Sequence, residues 1–164
     1  MRRVVQLVVG LDGAGKTSLC LALQGCTHLS DPSPTIGFNA PCELILDGHP
    51  VTLYDVGGSK GIRGIWSEYL SEVHALIFVV DSAAAQRFAE AADALNELVT
   101  HKYGVAKSVL ILANKADMDG ASSAASFAKR LEALQDTSPC ASLESWLRFG
   151  SATLTPRRHC GLGS

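Results

Sequence analysis

Residues 10–17 read Gly10-Leu11-Asp12-Gly13-Ala14-Gly15-Lys16-Thr17 and set the framework for the rest of the chain. A β-branched apolar run at residues 3–9 precedes them, and residues 16–24 carry apolar side chains at helical spacing. The sequence therefore predicts a strand, a glycine loop and a helix, which is the context that the pattern G-x-x-x-x-G-K-[ST] requires. In such a loop, backbone N–H groups and the helix N-terminus converge on one point. This arrangement favours binding of a phosphate chain, with Lys16 as a mobile charge and the Thr17 hydroxyl as a ligand for Mg²⁺.

Outward from this loop, predicted strands and helices alternate along the chain. Residues 42–46 and 51–54 flank Asp47-Gly48, a strong turn signal, so these two strands should pair antiparallel. Near-continuous apolar runs at 74–81 and 108–113 are typical of strands buried on both faces of a parallel sheet. Apolar stripes predict a helix over 84–101 and a second one after it, through these positions: Phe88, Ala92, Leu95, Val99, Phe127, Leu131 and Leu134.

This order of elements predicts an α/β domain of the P-loop NTPase type. Its sheet should be doubly wound and mostly parallel with one antiparallel edge strand, and such sheets bind ligands beyond the carboxyl ends of their strands. At 164 residues and 17.3 kDa, the chain is expected to form a single domain over residues 1–164. The pattern weakens from about residue 136 onward, where no clear final helix is predicted.

Composition and charge exclude several other classes of protein. Hydrophobic residues make up 47% and charged residues 18%, as in ordinary globular proteins. Fourteen basic against sixteen acidic residues leave a net charge of −2, so no basic field points to a nucleic-acid partner. No apolar run approaches the roughly 20 residues of a membrane-spanning helix, and Arg2 excludes N-myristoylation. We therefore expect a cytoplasmic protein with no membrane anchor of its own.

The five cysteines do not form a metal or disulfide pattern. Their number is odd and no C-x-x-C pair occurs, which favours reduced thiols.

A second polar motif, Asn114-Lys115-Ala116-Asp117, follows directly on the predicted strand at 108–113. The carboxylate of Asp117 can accept hydrogen bonds from both N1–H and the 2-amino group of guanine, whereas adenine lacks this donor pair. A buried acceptor left unpaired gives strong discrimination. The stem of Lys115 can lie over the ring, and Asn114 can tie the loop back to the phosphate side. The motif therefore predicts a preference for guanine.

These motifs occur in the order and at the spacing of the Arf-like (ADP-ribosylation factor-like) family of small GTPases, which the chain resembles from about residue 4 to 133. Residues 61–66, Gly-Ile-Arg-Gly-Ile-Trp, are similar to the cilium-associated subgroup of that family. The stretches that carry the resemblance are 10–17, 34–39 (Pro-Thr-Ile-Gly-Phe-Asn), 55–58 (Asp-Val-Gly-Gly), 78–82 (Phe-Val-Val-Asp-Ser) and 114–117.

The resemblance implies a GTP/GDP switch that uses Mg²⁺ and acts as a monomer. Effector and exchange proteins would contact two loops, the first switch loop (34–39) and the second switch loop (55–63). Thr35 would bind Mg²⁺ in the GTP state together with Thr17, Asp55 would hold a magnesium-bound water, and the Gly58 N–H would meet the γ-phosphate. Nucleotide contacts are also expected from the phosphate loop and the base loop: Gly10, Asp12, Gly13, Ala14, Gly15, Lys16, Thr17, Ser18, Asn114, Lys115 and Asp117.

Residues 150–153, Gly-Ser-Ala-Thr, resemble the loop in which the family places an alanine N–H against guanine O6. This similarity implies such a role for Ala152, but an ordinary Ser-Ala loop fits the sequence equally well.

One position departs from the family pattern, because Ser59 stands where a glutamine commonly follows Asp-x-Gly-Gly. That glutamine orients the attacking water, and a serine side chain is too short to reach the same water. We predict very slow intrinsic GTP hydrolysis, so that enzymatic activity depends on groups supplied by a partner. Arg63 is the one candidate substitute, but we expect it to be an ordinary solvated or partner-facing arginine.

Both ends also depart from the family pattern. The resemblance implies an N-terminal anchor helix and a closing C-terminal helix, and the sequence shows neither. Residues 154–164 contain Pro156 and no apolar stripe, so we expect a truncated domain with exposed apolar surface. Membrane or cilium association would then depend on partners. Two alternatives stay open: a P-loop kinase or ATPase, which residues 114–117 argue against, and a degenerate interaction fragment that binds no nucleotide.

Overall fold

The computed structural model describes residues 3–26, 34–135 and 147–151. Predictions that concern 136–146 and 152–164, including the role of Ala152 and the final helix, lie outside these residues. Short 3₁₀ turns at Arg63–Ile65 and Ala85–Arg87 precede two of the helices. The described elements, in chain order, are β1 (Val4–Val9), α1 (Lys16–Leu23), β2 (Cys42–Leu46), β3 (His49–Asp55), α2 (Trp66–Tyr69), β4 (Ala75–Asp81), α3 (Phe88–Thr100), β5 (Ser108–Asn114), α4 (Ala124–Gln135) and β6 (Leu147–Ser151).

The six described strands form one sheet in the order β2-β3-β1-β4-β5-β6. All neighbours pair in parallel except β2 and β3, which are antiparallel. The predicted fold class, a doubly wound and mostly parallel sheet with one antiparallel edge strand, is confirmed. The parallel register places Val8 beside Asp55 and Asp81 beside Asn114. The polar residues that follow these strands therefore meet at one edge of the sheet.

The hairpin between β2 and β3 turns at the predicted dipeptide. Asp47 and Gly48 both have positive φ, 49° and 78°, as a two-residue hairpin turn of the primed type requires. This tight turn lets Leu46 pair with His49, so β3 begins at His49 rather than at the predicted residue 51.

The predicted helical stripe of α3 forms part of the core. Its four members, Phe88, Ala92, Leu95 and Val99, are all buried in the main hydrophobic cluster. Phe127 of α4 is also buried, and its ring packs edge-on against that of Phe88 with centroids 5.3 Å apart. A second apolar cluster fills the other face of the sheet, under α1.

The short helical segment after the second switch loop was not predicted. Helix α2 has only four residues, which is too few to show an apolar period. It is anchored by Trp66, which is buried and donates a hydrogen bond from Nε1 to the carbonyl oxygen of Gly57 at 2.8 Å. No helix in the described part of the chain is both long enough and apolar enough to cross a bilayer.

Candidate nucleotide-binding site

The predicted phosphate loop lies between β1 and α1 and borders a cavity of about 290 Å³. Gly15 precedes the helix with φ of 92°, and a Cβ there would overlap the side-chain nitrogen of Asn114, so only glycine fits. No acidic residue lies in the first turn of α1 to offset its positive end. The cavity lining joins residues from four loops: Asp12, Gly13, Gly15, Lys16, Thr17, Ser18, Pro34, Thr35, Gly58 and Lys115.

Lys16 is held against the phosphate loop. Its Nζ donates hydrogen bonds to the carbonyl oxygens of Gly10 at 3.0 Å and Leu11 at 2.9 Å. Burial lowers the pKa of Lys16 to about 8, although the nearby carboxylate of Asp55 acts in the opposite direction. A phosphate group brought to this ammonium would favour its charged form.

Three oxygen-bearing side chains from separate elements meet beside the cavity. Thr17 donates from Oγ1 to Asp55 Oδ2 at 2.7 Å, and its Oγ1 lies 3.1 Å from Thr35 Oγ1. The other carboxylate oxygen of Asp55, Oδ1, is buried and has no hydrogen-bond partner among the described residues. Hydroxyl and carboxylate oxygens are the ligands that Mg²⁺ prefers, so these residues fit a magnesium ion.

Asn39 belongs to this cluster, although no role for it was predicted. Its Nδ2 donates to Asp55 Oδ2 at 2.6 Å, and its backbone N–H donates to the carbonyl oxygen of Asp55 at 2.9 Å. The signal was present in the sequence, because Asn39 ends the quoted motif of the first switch loop.

Gly58 lies directly against the phosphate loop. A Cβ at this position would overlap the backbone of Gly10 and Leu11 and lie 2.5 Å from the backbone nitrogen of Asp12. The second switch loop can therefore approach the cavity this closely only with glycine at residue 58.

The base loop is tied to two neighbouring elements. Asn114 is buried and donates from Nδ2 to the carbonyl oxygen of Ala14 at 2.9 Å, which joins this loop to the phosphate side. Lys115 has a positive φ of 60°, and its Nζ donates to Asp81 Oδ2 at 2.8 Å. Asp117 is exposed and does not line the cavity. Strand β6 pairs with β5 through Ser151 and Ala113, which brings the residue before Ala152 to the same edge.

Arg63 was expected to be solvated or partner-facing, and the first alternative is wrong because its side chain is only 15% exposed. Arg63 donates from Nε to the carbonyl oxygen of Gly58 at 2.8 Å and from Nη2 to Glu90 Oε1 at 2.7 Å. Arg87 in turn donates to Glu90 at 3.1 Å and to Asp12 at 2.8 Å. This ion-pair network connects the second switch loop, α3 and the phosphate loop.

The arginines of the network stabilise the charged forms of its carboxylates. The hydrogen bond from Arg63 is the main reason that the pKa of Glu90 is lowered, and the hydrogen bond from Arg87 similarly lowers the pKa of Asp12. Sequence patterns could not show this network, since its partners lie up to 75 positions apart.

An apolar surface lies beside the two switch loops. Phe38 is 64% exposed and Ile36 is 91% exposed. The ring of Tyr69 lies 6.4 Å from that of Phe38 and 5.6 Å from that of Tyr54. We call these four residues the switch surface; the two tyrosines were not predicted as members.

The fold and this cavity define a P-loop protein of the small GTPase class. The chain belongs to the ADP-ribosylation factor family, whose family model matches residues 1–153. This membership makes it a small GTPase of the Arf type, a class of GTP-binding switches, and does not favour the kinase or ATPase alternative.

Two relatives illustrate the similarity in sequence. ADP-ribosylation factor-like protein 13B of Chlamydomonas reinhardtii is 39% identical over 130 residues, which cover 79% of this chain and 24% of that protein. ADP-ribosylation factor-like protein 3 of the same alga is 39% identical over 126 residues, or 77% of this chain and 70% of the relative. The chain thus matches about a quarter of the first relative's length.

Two solved structures share the fold. The mammalian SRP receptor structure aligns with a TM-score of 0.76 at 26% identity and covers 91% of this chain and 90% of the other. The Arl6 BBS3 small GTPase from Trypanosoma brucei, solved with the nucleotide analogue GppNp, aligns with a TM-score of 0.77 at 23% identity, covering 93% and 87%. At that identity the second likeness supports the fold alone.

Proposed function

We propose that this chain binds GDP and GTP with Mg²⁺, recruits a protein partner in the GTP state, and hydrolyses GTP very slowly by itself. The observation that carries the proposal is the convergence of Thr17, Thr35 and Asp55 beside the phosphate loop, where one buried oxygen of Asp55 has no partner in the described part of the chain. A buried carboxylate oxygen without a partner costs free energy unless a cation completes it.

Phosphate binding would use the loop between β1 and α1. Lys16, the positive end of α1 and the backbone of Gly13 and Gly15 all border the same cavity. Thr17 and Thr35 would supply hydroxyl ligands to Mg²⁺, and Asp55 would bind the ion or its water. The ion, when bound, neutralises phosphate charge.

Base selection would use the loop after β5. In this proposal the Asp117 carboxylate accepts from the two N–H groups of guanine, and the Ala152 N–H donates to O6. Asn114 supports the loop from behind through its hydrogen bond to Ala14.

The switch would operate through Thr35 and Gly58. They belong to different loops, and both line the cavity next to the phosphate loop. A γ-phosphate bound there could be contacted by the Gly58 N–H and could hold Thr35 near the ion, so loss of that phosphate would release both loops.

Slow hydrolysis follows from the residues around the γ-phosphate position. Ser59 offers a hydroxyl one carbon from its backbone, and its carbonyl accepts the N–H groups of Ile62 and Arg63 to start the next turn. Arg63 is engaged by Glu90 and Gly58 and therefore does not replace the missing glutamine. A single-turnover assay should show a rate far below that of a glutamine-bearing relative, and an equal rate would refute this part of the proposal.

Effector and exchange proteins are the proposed partners, and the switch surface is the proposed contact. An exposed phenylalanine beside two tyrosines is the composition that protein interfaces favour. We further propose that the chain acts as a monomer in the cytoplasm and associates with membranes or the cilium through partners. The similarity of residues 61–66 to the cilium-associated subgroup motivates the last point.

Calorimetric titration tests the nucleotide proposal. The chain should bind GDP in the presence of Mg²⁺, bind it more weakly after chelation of the ion, and leave ATP unbound at the same concentration. Equal binding of ATP would favour a kinase or ATPase. No binding of either nucleotide would favour the degenerate fragment.

A further inference from the structure

An ion pair joins the base loop to the end of strand β4, at a residue for which no nucleotide contact was predicted. Lys115 Nζ donates to Asp81 Oδ2 at 2.8 Å, and Asp81 is the last residue of β4. Asp81 is 22% exposed and Lys115 is 34% exposed, so this pair is partly shielded from water.

The carboxylate of Asp81 is also held by the backbone of its own chain segment. Its other oxygen, Oδ1, accepts the backbone N–H of Ala83 at 2.9 Å. The residue itself stands opposite Asn114 in the register of β4 and β5, and the next residue, Ser82, donates its N–H to the carbonyl oxygen of Asn114 at 2.9 Å. Asp81 is therefore a rigid anchor attached to the strand that carries the base loop.

Lys115 needs such an anchor. Its backbone adopts the left-handed conformation, which non-glycine residues rarely adopt, and its four-carbon side chain has considerable freedom of rotation. Lys115 also lines the cavity beside the phosphate loop. Without a partner for its ammonium, ordering the side chain over a bound ring would cost rotational entropy on each binding event.

We propose that Asp81 is a positioning residue for guanine binding: its carboxylate fixes the ammonium of Lys115 so that the stem of this lysine is ordered before the purine ring arrives. This inference rests on the proposed function, because it assigns a role within the same nucleotide site. It adds Asp81, a residue of the neighbouring strand, to the determinants of how long the nucleotide stays bound.

The test measures release of a fluorescent GDP from the full chain with Mg²⁺ present. The substitution Asp81→Asn keeps the shape of the side chain and removes its charge, and it should speed GDP release about fivefold, the size expected for one partly shielded ion pair. The matched control is Asp93→Asn, the same change at an exposed position of α3, which should leave the rate unchanged.

A double-mutant cycle separates positioning from general stabilisation. If Asp81 acts through the lysine, Asp81→Asn should have no further effect in a Lys115→Met background. The inference would be overturned if Asp81→Asn speeds GDP release equally in the Lys115→Met protein and in the chain that keeps Lys115. It would also be overturned if the substitution does not speed release in the chain that keeps Lys115. Failure of the unmodified chain to bind GDP would instead overturn the proposed function, so the two failures are distinguishable.

Discussion

The two switch loops approach the same cavity in different ways. The first switch loop reaches it through Pro34 and Thr35, while Ile36 and Phe38 are largely exposed. The second switch loop is packed closely, with Gly58 against the phosphate loop and Arg63 bonded to α3. Both loops thus have hydrogen-bond partners within the protein, but the second is also tied to α3 by an ion pair. We therefore propose that the order of the first loop depends more on a bound ion and phosphate.

The loops are also joined directly by backbone hydrogen bonds. Gly57 donates its N–H to the carbonyl oxygen of Gly37 at 2.8 Å, and Asn39 donates to that of Asp55 at 2.9 Å. A disturbance of one loop can therefore reach the other, and experiments must distinguish direct from transmitted effects.

The largest expected effect on nucleotide affinity comes from adding a methyl group where the second switch loop contacts the phosphate loop. Gly58→Ala would force the Cβ into the backbone of residues 10–12 and move the N–H proposed to contact the γ-phosphate. Loss of a hydrogen bond to a charged group should weaken binding of a GTP analogue about 10- to 100-fold relative to GDP. Gly61→Ala in the same loop is the matched control, because a Cβ there meets nothing within 4 Å. Equal affinities for the two variants would show that the close approach of Gly58 is unimportant.

The next effect concerns the phosphate loop, which lines the same cavity as both switch loops. The pKa of Lys16 is lowered to about 8, so the free protein loses this proton as pH rises above 8, whereas bound phosphate favours the charged lysine. Nucleotide affinity should therefore fall as pH rises from 8 to 9, by at most about tenfold per pH unit. Titrations with fluorescent GDP at several pH values measure this slope. Lys16→Met should bind GDP weakly, and its affinity should fall less steeply between pH 8 and 9. The same pH dependence in both proteins would assign the effect to another group.

A smaller effect is expected when the ion-pair network is weakened. Glu90→Gln removes the charge that holds Arg63 and should speed hydrogen exchange of backbone amides in residues 58–66 about fivefold, with little change in 34–39. Mass spectrometry of exchanged peptides measures both regions. Glu72→Gln, at an exposed position after α2, serves as control. Unchanged exchange in 58–66 would show that this ion pair does not anchor the second loop, and similar acceleration in both loops would show that the anchor also orders the first.

Local sequence patterns predicted the parts of this molecule that are built from neighbouring residues. The phosphate loop, the Asp47-Gly48 hairpin and the stripe of α3 each depend on consecutive or helically spaced positions, and the structure has them where expected. Asn114 ends strand β5 and the rest of the base loop follows directly, so the place of this loop at the sheet edge was predictable.

What the sequence could not show depends on residues far apart. Arg63 was expected to be solvated or partner-facing, yet it donates a hydrogen bond to Glu90 of α3, 27 positions later in the chain. The aromatic contact between Tyr54 and Tyr69 likewise arises only when β3 and α2 pack together. Such contacts form only when distant parts of the chain pack together, and a single sequence carries no local signal for them.

The central claim is that a guanine nucleotide with Mg²⁺ orders the first switch loop through Thr35. Hydrogen exchange of this loop tests the claim most directly. Amides of residues 34–39 would be compared in complexes with GDP and with a non-hydrolysable GTP analogue, both with Mg²⁺. The account predicts exchange about tenfold slower or more in the GTP-analogue complex. Equal exchange in the two saturated complexes would contradict it.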